Sequence, residues 1–126
     1  MRIALNVQPA TPETVFGLGL RGHAAAADDG CRIEFDPARQ LVRFKTMTDS
    51  ANRRLPGPRA EDVELPCRPL HLEIICRHDL VDLEIDQRRT LANRYWDPTG
   101  DCLEFTVEKG AATFGDVEIR PLVEQP

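Results

Sequence analysis

Between Leu70 and Ile85 the chain reads LHLEIICRHDLVDLEI, with apolar residues returning at every second position. Side chains in a strand point alternately to the two faces of a sheet, so period two is the signature of a half-buried strand. It puts Leu70, Leu72, Ile74 and Cys76 on one face, and it sets Val81, Leu83 and Ile85 opposite Asp82, Glu84 and Asp86. The same rhythm runs through most of the chain. RIALNVQ aligns Ile3, Leu5 and Val7, and VFGLGLRG aligns Phe16, Leu18 and Leu20 with glycines on the other face, where a bulge or a close neighbour fits. CRIEF and QLVRFK flank DPAR, an Asp-Pro turn, and predict a hairpin. TMTDSANRRLPGPRAED reads as a surface loop, as does GHAAAADDG, too short and glycine-bounded for a helix. VELP, LHLEIIC, LVDLEID, TLANRYW, CLEFTVEK and ATFGDVEIR follow, separated by RHD, QRR, DPTGD and GA. About ten short strands with turn signals roughly every ten residues predict an all-β fold, an antiparallel β-sandwich of the jelly-roll, concanavalin-like kind.

At 126 residues the chain is one domain, 1–126, large enough to bury a core without staples. Met1 sits directly on the first strand, which suggests a domain excised from a larger protein. A net charge of −5 excludes the basic footprint that nucleic acid requires, and it disfavours anionic lipid equally. Apolar runs such as LEII are far too short to span a membrane, and MRIALNVQP lacks the apolar stretch of a signal peptide. A soluble domain is expected, with its compartment open. The four cysteines, Cys31, Cys67, Cys76 and Cys102, have neither metal-site spacing nor scaffold density and read as free thiols, with Cys31 and Cys76 in phase with the core.

Several constellations carry chemistry of their own. CRPLHLEIICRH gathers Cys67, His71, Cys76 and His78, but alternation sends His71 to one face and Cys76 and His78 to the other, so the four do not converge on zinc. A nucleophilic Cys76 would need a setting that favours thiolate, and an apolar strand does the opposite. Asp28 in DDG, and Asp97 and Asp101 in DPTGD, supply hard oxygens for calcium, although Asp and Gly are first of all turn residues. LVDLEIDQRRTLANRYW holds what a sugar site needs, an aromatic surface beside planar polar groups. Asp79, Asp82, Glu84, Arg94, Tyr95 and Trp96 are its candidate residues, and the alternative is a solvated acidic face with Tyr95 and Trp96 capping the sandwich.

These residues resemble a known family. LHLEIICRHDLVDLEIDQRRTLANRYW, followed by DCLEFTVEKGAATFGDVEIRPL, is similar to the C-terminal β-sandwich of glycoside hydrolase family 32, the levanases, inulinases and invertases, whose strand pair reads approximately LRIFVDRSSVEVFVNDG before TSRIYP. FGLGLRGHAAAADDGCRIEFDPARQLVRF resembles that family's FGL.LR and Y.I.YD strands. Asp82 stands where the family usually has Glu, Asp86 and Gln87 fall in its NDG turn without the glycine, and Arg94-Tyr95-Trp96 stands at RIYP. The family's catalytic carboxylates belong to a separate propeller marked by NDPNG, RDP and EC. None of those strings occurs here, and WDPTG reads as a turn.

The resemblance therefore implies a non-catalytic domain with no catalytic residue, cofactor or metal. Its partner would be a fructan-like carbohydrate or the catalytic domain of a glycosidase. It would serve as an accessory sandwich or as a levan-binding type of module. A free-standing interaction domain without a sugar link remains the third reading, because fold does not fix function.

Overall fold

A computed structural model describes residues 1–22, 30–45, 59–66, 68–77, 80–94, 100 and 102–122. They form ten strands: β1 Arg2–Pro9, β2 Val15–Gly22, β3 Cys31–Asp36, β4 Leu41–Phe44, β5 Arg59–Asp62, β6 Leu70–Arg77, β7 Leu80–Ile85, β8 Arg89–Arg94, β9 Cys102–Lys109 and β10 Ala112–Arg120. Two five-stranded sheets result. Sheet A has the order β10-β1-β6-β7-β8 and sheet B the order β5-β4-β3-β2-β9. Every pairing is antiparallel, so the expected all-β sandwich is the observed architecture.

The alternation read from sequence is what stacks the sheets. On sheet A, Ile3 lies opposite Ile74, which lies opposite Leu83, which lies opposite Leu91. All four are buried, and they meet Phe16, Leu18, Ile33, Phe35 and Phe44 of sheet B in one core. Phe16 and Phe35 stack with ring centroids 4.8 Å apart. Burying an aliphatic or aromatic side chain of this size contributes about 1.5–3 kcal/mol, so the core carries the fold.

The glycines of β2 are there for closeness. A Cβ on Gly17 would lie 2.8 Å from the Ile33 carbonyl oxygen and 2.8 Å from Thr106 Oγ1, so the neighbouring strands leave it no room. Gly110, between β9 and β10, has φ +79° and would place a Cβ 2.7 Å from Thr14 Oγ1. That hydroxyl is buried and donates to the Ala111 carbonyl at 3.1 Å.

Three expectations need correction. VELP is not a strand, although Val63 and Leu65 are buried. The Gln40 side chain holds it, accepting from the Leu65 amide at 2.8 Å and donating to the Leu65 carbonyl at 2.9 Å, while the Gln40 carbonyl accepts from the Val63 amide at 3.0 Å. The strand lies just before it: Arg59–Asp62, taken as the end of a loop, pairs with β4 as β5. Asp36, assigned to the turn, ends β3, and the turn is Pro37–Gln40, closed by the Gln40 amide on the Pro37 carbonyl at 3.2 Å. The GHAAAADDG loop and the preceding TMTDSANRRLPGP lie largely outside the described residues.

Candidate functional site

The outer face of sheet A is built by the polar phase of the same alternation. β1 contributes Arg2, Ala4 and Asn6, β6 contributes His71 and Glu73, and β7 contributes Asp82 and Glu84. The register aligns them in rows: Asn6 opposite His71, Ala4 opposite Glu73 opposite Glu84, and Arg2 opposite Ile75 opposite Asp82.

A chain of polar contacts runs across three strands. Asn6 Nδ2 donates to Asp116 Oδ2 at 2.9 Å, which leaves Asn6 Oδ1 to accept from His71 Nδ1, also at 2.9 Å. His71 Nε2 lies 3.5 Å from Glu73 Oε1, and Arg2 donates to the same oxygen at 3.1 Å. The Arg2 hydrogen bond holds the Glu73 carboxyl below its ordinary value; burial opposes it and His71 reinforces it. Arg2, Ala4, His71, Glu73, Glu118 and Arg120 line a shallow depression of about 190 Å³ here, and Arg120 is ion-paired with Glu118 at its rim.

The neighbouring part of the face is not neutralised in the same way. Glu84 sits directly opposite Glu73, an arrangement of like charges that weakens a sheet. Neither Glu84 nor Asp82 has a hydrogen-bond or ion-pair partner among the described residues. Both residues are half-buried.

The remaining candidates divide. Arg94 ends β8 with its backbone opposite Leu80. Asp79, Tyr95 and Trp96 lie outside the described residues, as do Cys67, His78, Asp28, Asp97 and Asp101. Asp86, expected on the acidic face, belongs to the turn instead. Asp86 and Gln87 have φ of 52° and 56°, and the Arg88 amide donates to the Ile85 carbonyl at 3.0 Å. This is the mirror-image turn that favours glycine, formed here without one. Asp86 Oδ1 accepts from the His71 amide at 2.8 Å and Oδ2 meets Arg68 at 3.0 Å, which takes the carboxylate off the face and holds the turn.

Sequence reasoning missed Arg2, Asn6, His71 and Glu73 as a set. The only available signal was that they occupy the polar phase of two strands, and the strand order that joins those strands is not written in either. A second depression, of about 330 Å³, lies at the β7–β8 turn and is lined by Asp62, Glu64, Asp86, Arg68, Arg88 and Arg89 among others. Its three acids and three arginines cancel formally.

The two core thiols, Cys31 and Cys76, are buried away from any reactive setting. Burial pushes the Cys31 thiol up to about 12, with Cys76 adding to the effect, and burial raises Cys76 as well. Cys76 faces the core while His71 faces outward, and among the described residues no three potential ligands gather around a metal position.

No family model matches the chain, and no curated protein matches its sequence. Solved structures do match. A carbohydrate-binding module, CBM66, from Bacillus subtilis superposes with a TM-score of 0.65 at 13% identity, covering 92% of this chain and 71% of the module. The galectin LEC-6 of Caenorhabditis elegans gives 0.67 at 14% identity, covering 94% and 81%. Sheep galectin-11, solved with glycerol, gives 0.69 at 12%, covering 93% and 86%. At these identities, what the chain shares with the module and the galectins is the two-sheet fold.

Proposed function

We propose that this domain is a non-catalytic carbohydrate-recognition sandwich whose site is the outer face of sheet A. One observation carries the reading: the Asn6–His71–Glu73–Arg2 chain, fixed in orientation, stands beside two carboxylates, Asp82 and Glu84, that have no partner among the described residues. Planar amide, imidazole, guanidinium and carboxylate groups grip vicinal hydroxyls by paired hydrogen bonds. A sugar hydroxyl donating to Glu84 would also ease the repulsion between Glu84 and Glu73. Tyr95 and Trp96 follow β8 directly in sequence and are the stacking candidates, with Arg94 and Asp79 completing the set. The fold shared with a carbohydrate-binding module and galectins supports the reading. The resemblance to family 32 favours a fructan as the ligand and a glycoside hydrolase as the parent.

The same unpartnered acids favour a second reading, in which the face docks on a basic surface of a catalytic domain. Tryptophan fluorescence separates the two, because Trp96 is the only tryptophan. Titration with levan, inulin and fructose is expected to give a saturable change that glucans do not, weakened at least about tenfold by Glu84→Gln, the loss of one charge-assisted hydrogen bond. A folded domain that answers to no glycan would leave the docking reading.

A further inference from the structure

Phe105, Val107, Val117 and Ile119 are 36%, 41%, 42% and 52% exposed. For three of them the register points inward: Phe105 pairs with buried Leu18, Val107 with buried Phe16 and Ile119 with buried Ile3. They are core positions left uncovered because, among the described residues, β9 ends sheet B and β10 ends sheet A on the same side of the sandwich. The seam continues into the interior, since Phe105 stacks on Phe114 at 4.8 Å and Phe114 meets Phe16 edge-on at 6.1 Å.

The two edges at this seam differ. β10 is interrupted: its register with β1 shifts between Ala4 and Asn6, and Asp116 there has φ 51°. Such a bulge discourages further strand pairing. β9 keeps regular register from Leu103 to Val107, bracketed by one extra residue on β9 at Glu108 and one on β2 at Arg21. The regular stretch has no proline and is centred on Phe105.

We propose that β9 is a homodimer edge, on which two copies pair antiparallel about a two-fold axis at Phe105. Charge sets that register apart from the two adjacent ones. Centred on Phe105, Leu103 faces Val107, Phe105 faces Phe105 and Glu104 faces Thr106 of the second copy. A two-residue pleat keeps inward residues opposite inward ones, and centring on Glu104 or Thr106 instead brings Glu104 against Glu104 or Glu108, which is destabilising. The pairing makes sheet B continuous across the dimer and covers the apolar seam from both sides. An isologous contact of this kind closes on itself and does not propagate. Coplanar pairing also leaves the outer faces of both A sheets on one side. The sugar reading, on which this inference does not depend, would then gain bivalency.

Sedimentation equilibrium of the 126-residue chain tests the proposal without any glycan. The expected mass rises with concentration to twice the monomer's 14.2 kDa, and Val107→Lys remains monomeric throughout. Under oxidising conditions Phe105→Cys is expected to form a covalent dimer, because cross-strand Cα spacings near the axis, about 4.5–5.5 Å, suit a disulfide. Val117→Cys is expected not to. A wild-type chain that stays monomeric overturns the proposal, and so does a dimer that survives Val107→Lys or cross-links through Val117→Cys in preference to Phe105→Cys. Should Val107→Lys fail to fold, the wild-type mass and the two cysteine variants still decide.

Discussion

The sandwich has two open sides, and they are finished differently. Where β5 and β8 end the sheets, Arg89 of β8 meets Glu61 of β5 at 3.4 Å, and the Val63–Leu65 segment, tied by Gln40, covers the core. Phe44, one strand in from that edge, is 1% exposed. Where β9 and β10 end them, no comparable segment lies over the apolar positions among the described residues, and Phe105 is 36% exposed. The inward phase of the alternation is the same on both sides. What differs is whether a neighbouring segment carries apolar residues to the gap and a polar side chain to anchor it.

That contrast can be broken most severely at the phenylalanines. Phe44→Ala is expected to cost about 3–5 kcal/mol in urea unfolding, the range for a fully buried ring. Phe105→Ala should cost a fraction of that in the monomer, and equal losses would mean the seam is covered in solution. Gln40→Ala strands the Leu65 amide and carbonyl together, with an expected loss of roughly 1–3 kcal/mol per unsatisfied buried group. Should that variant keep wild-type stability, the closed side is not held by Gln40. Gly110→Ala, at the hairpin that joins the two open edges, is expected to cost about 1–2 kcal/mol for the left-handed backbone, plus the clash with Thr14. Glu61→Ala, removing a partly exposed pair, should change stability by less than about 1 kcal/mol.

Acid sensitivity adds a pH axis. Burial pushes the Asp36 carboxyl up, but hydrogen bonds from the Arg43 guanidinium and from the Arg39 amide and guanidinium outweigh it and leave it below its ordinary value. A carboxyl lowered on folding adds stability that is present above its unfolded value, about 3.9 for Asp, and is lost as pH falls through the lower folded value. Asp36→Asn should therefore lower stability at neutral pH and flatten the loss of stability below about pH 4. An unchanged acid limb in chemical unfolding would assign the sensitivity to other carboxylates such as Glu73.

The strands that could be read from sequence were those with alternating faces. β1, β6 and β7 show their buried phase residue by residue, and the face holding Asp82 and Glu84 follows from it. β5 could not be read, because Arg-Ala-Glu-Asp has neither β-branched residues nor alternation; it is a strand only because β4 offers an edge. Val63 and Leu65 looked like a strand because burial alone imitates one, while the side chain that binds them lies 25 residues earlier. Asp86 left the acidic face because two non-glycine residues took the left-handed turn, for which the sequence carries no glycine marker. The Asn6–His71 and Arg2–Glu73 contacts span 65 and 71 residues and depend on β1 entering the sheet between β10 and β6, a choice made by the whole fold.

Amide and side-chain NMR shifts on an isotopically labelled chain, followed through titration with a fructan oligosaccharide, decide whether the outer face of sheet A binds sugar. Saturable shifts are expected at Arg2, Asn6, His71, Glu73, Asp82, Glu84, the β10 residues Asp116, Glu118 and Arg120 beside them, and the residues after β8, with β9 silent. Shifts clustered instead at the Arg68–Asp86 depression, or none with any glycan from a folded domain, would contradict binding at that face.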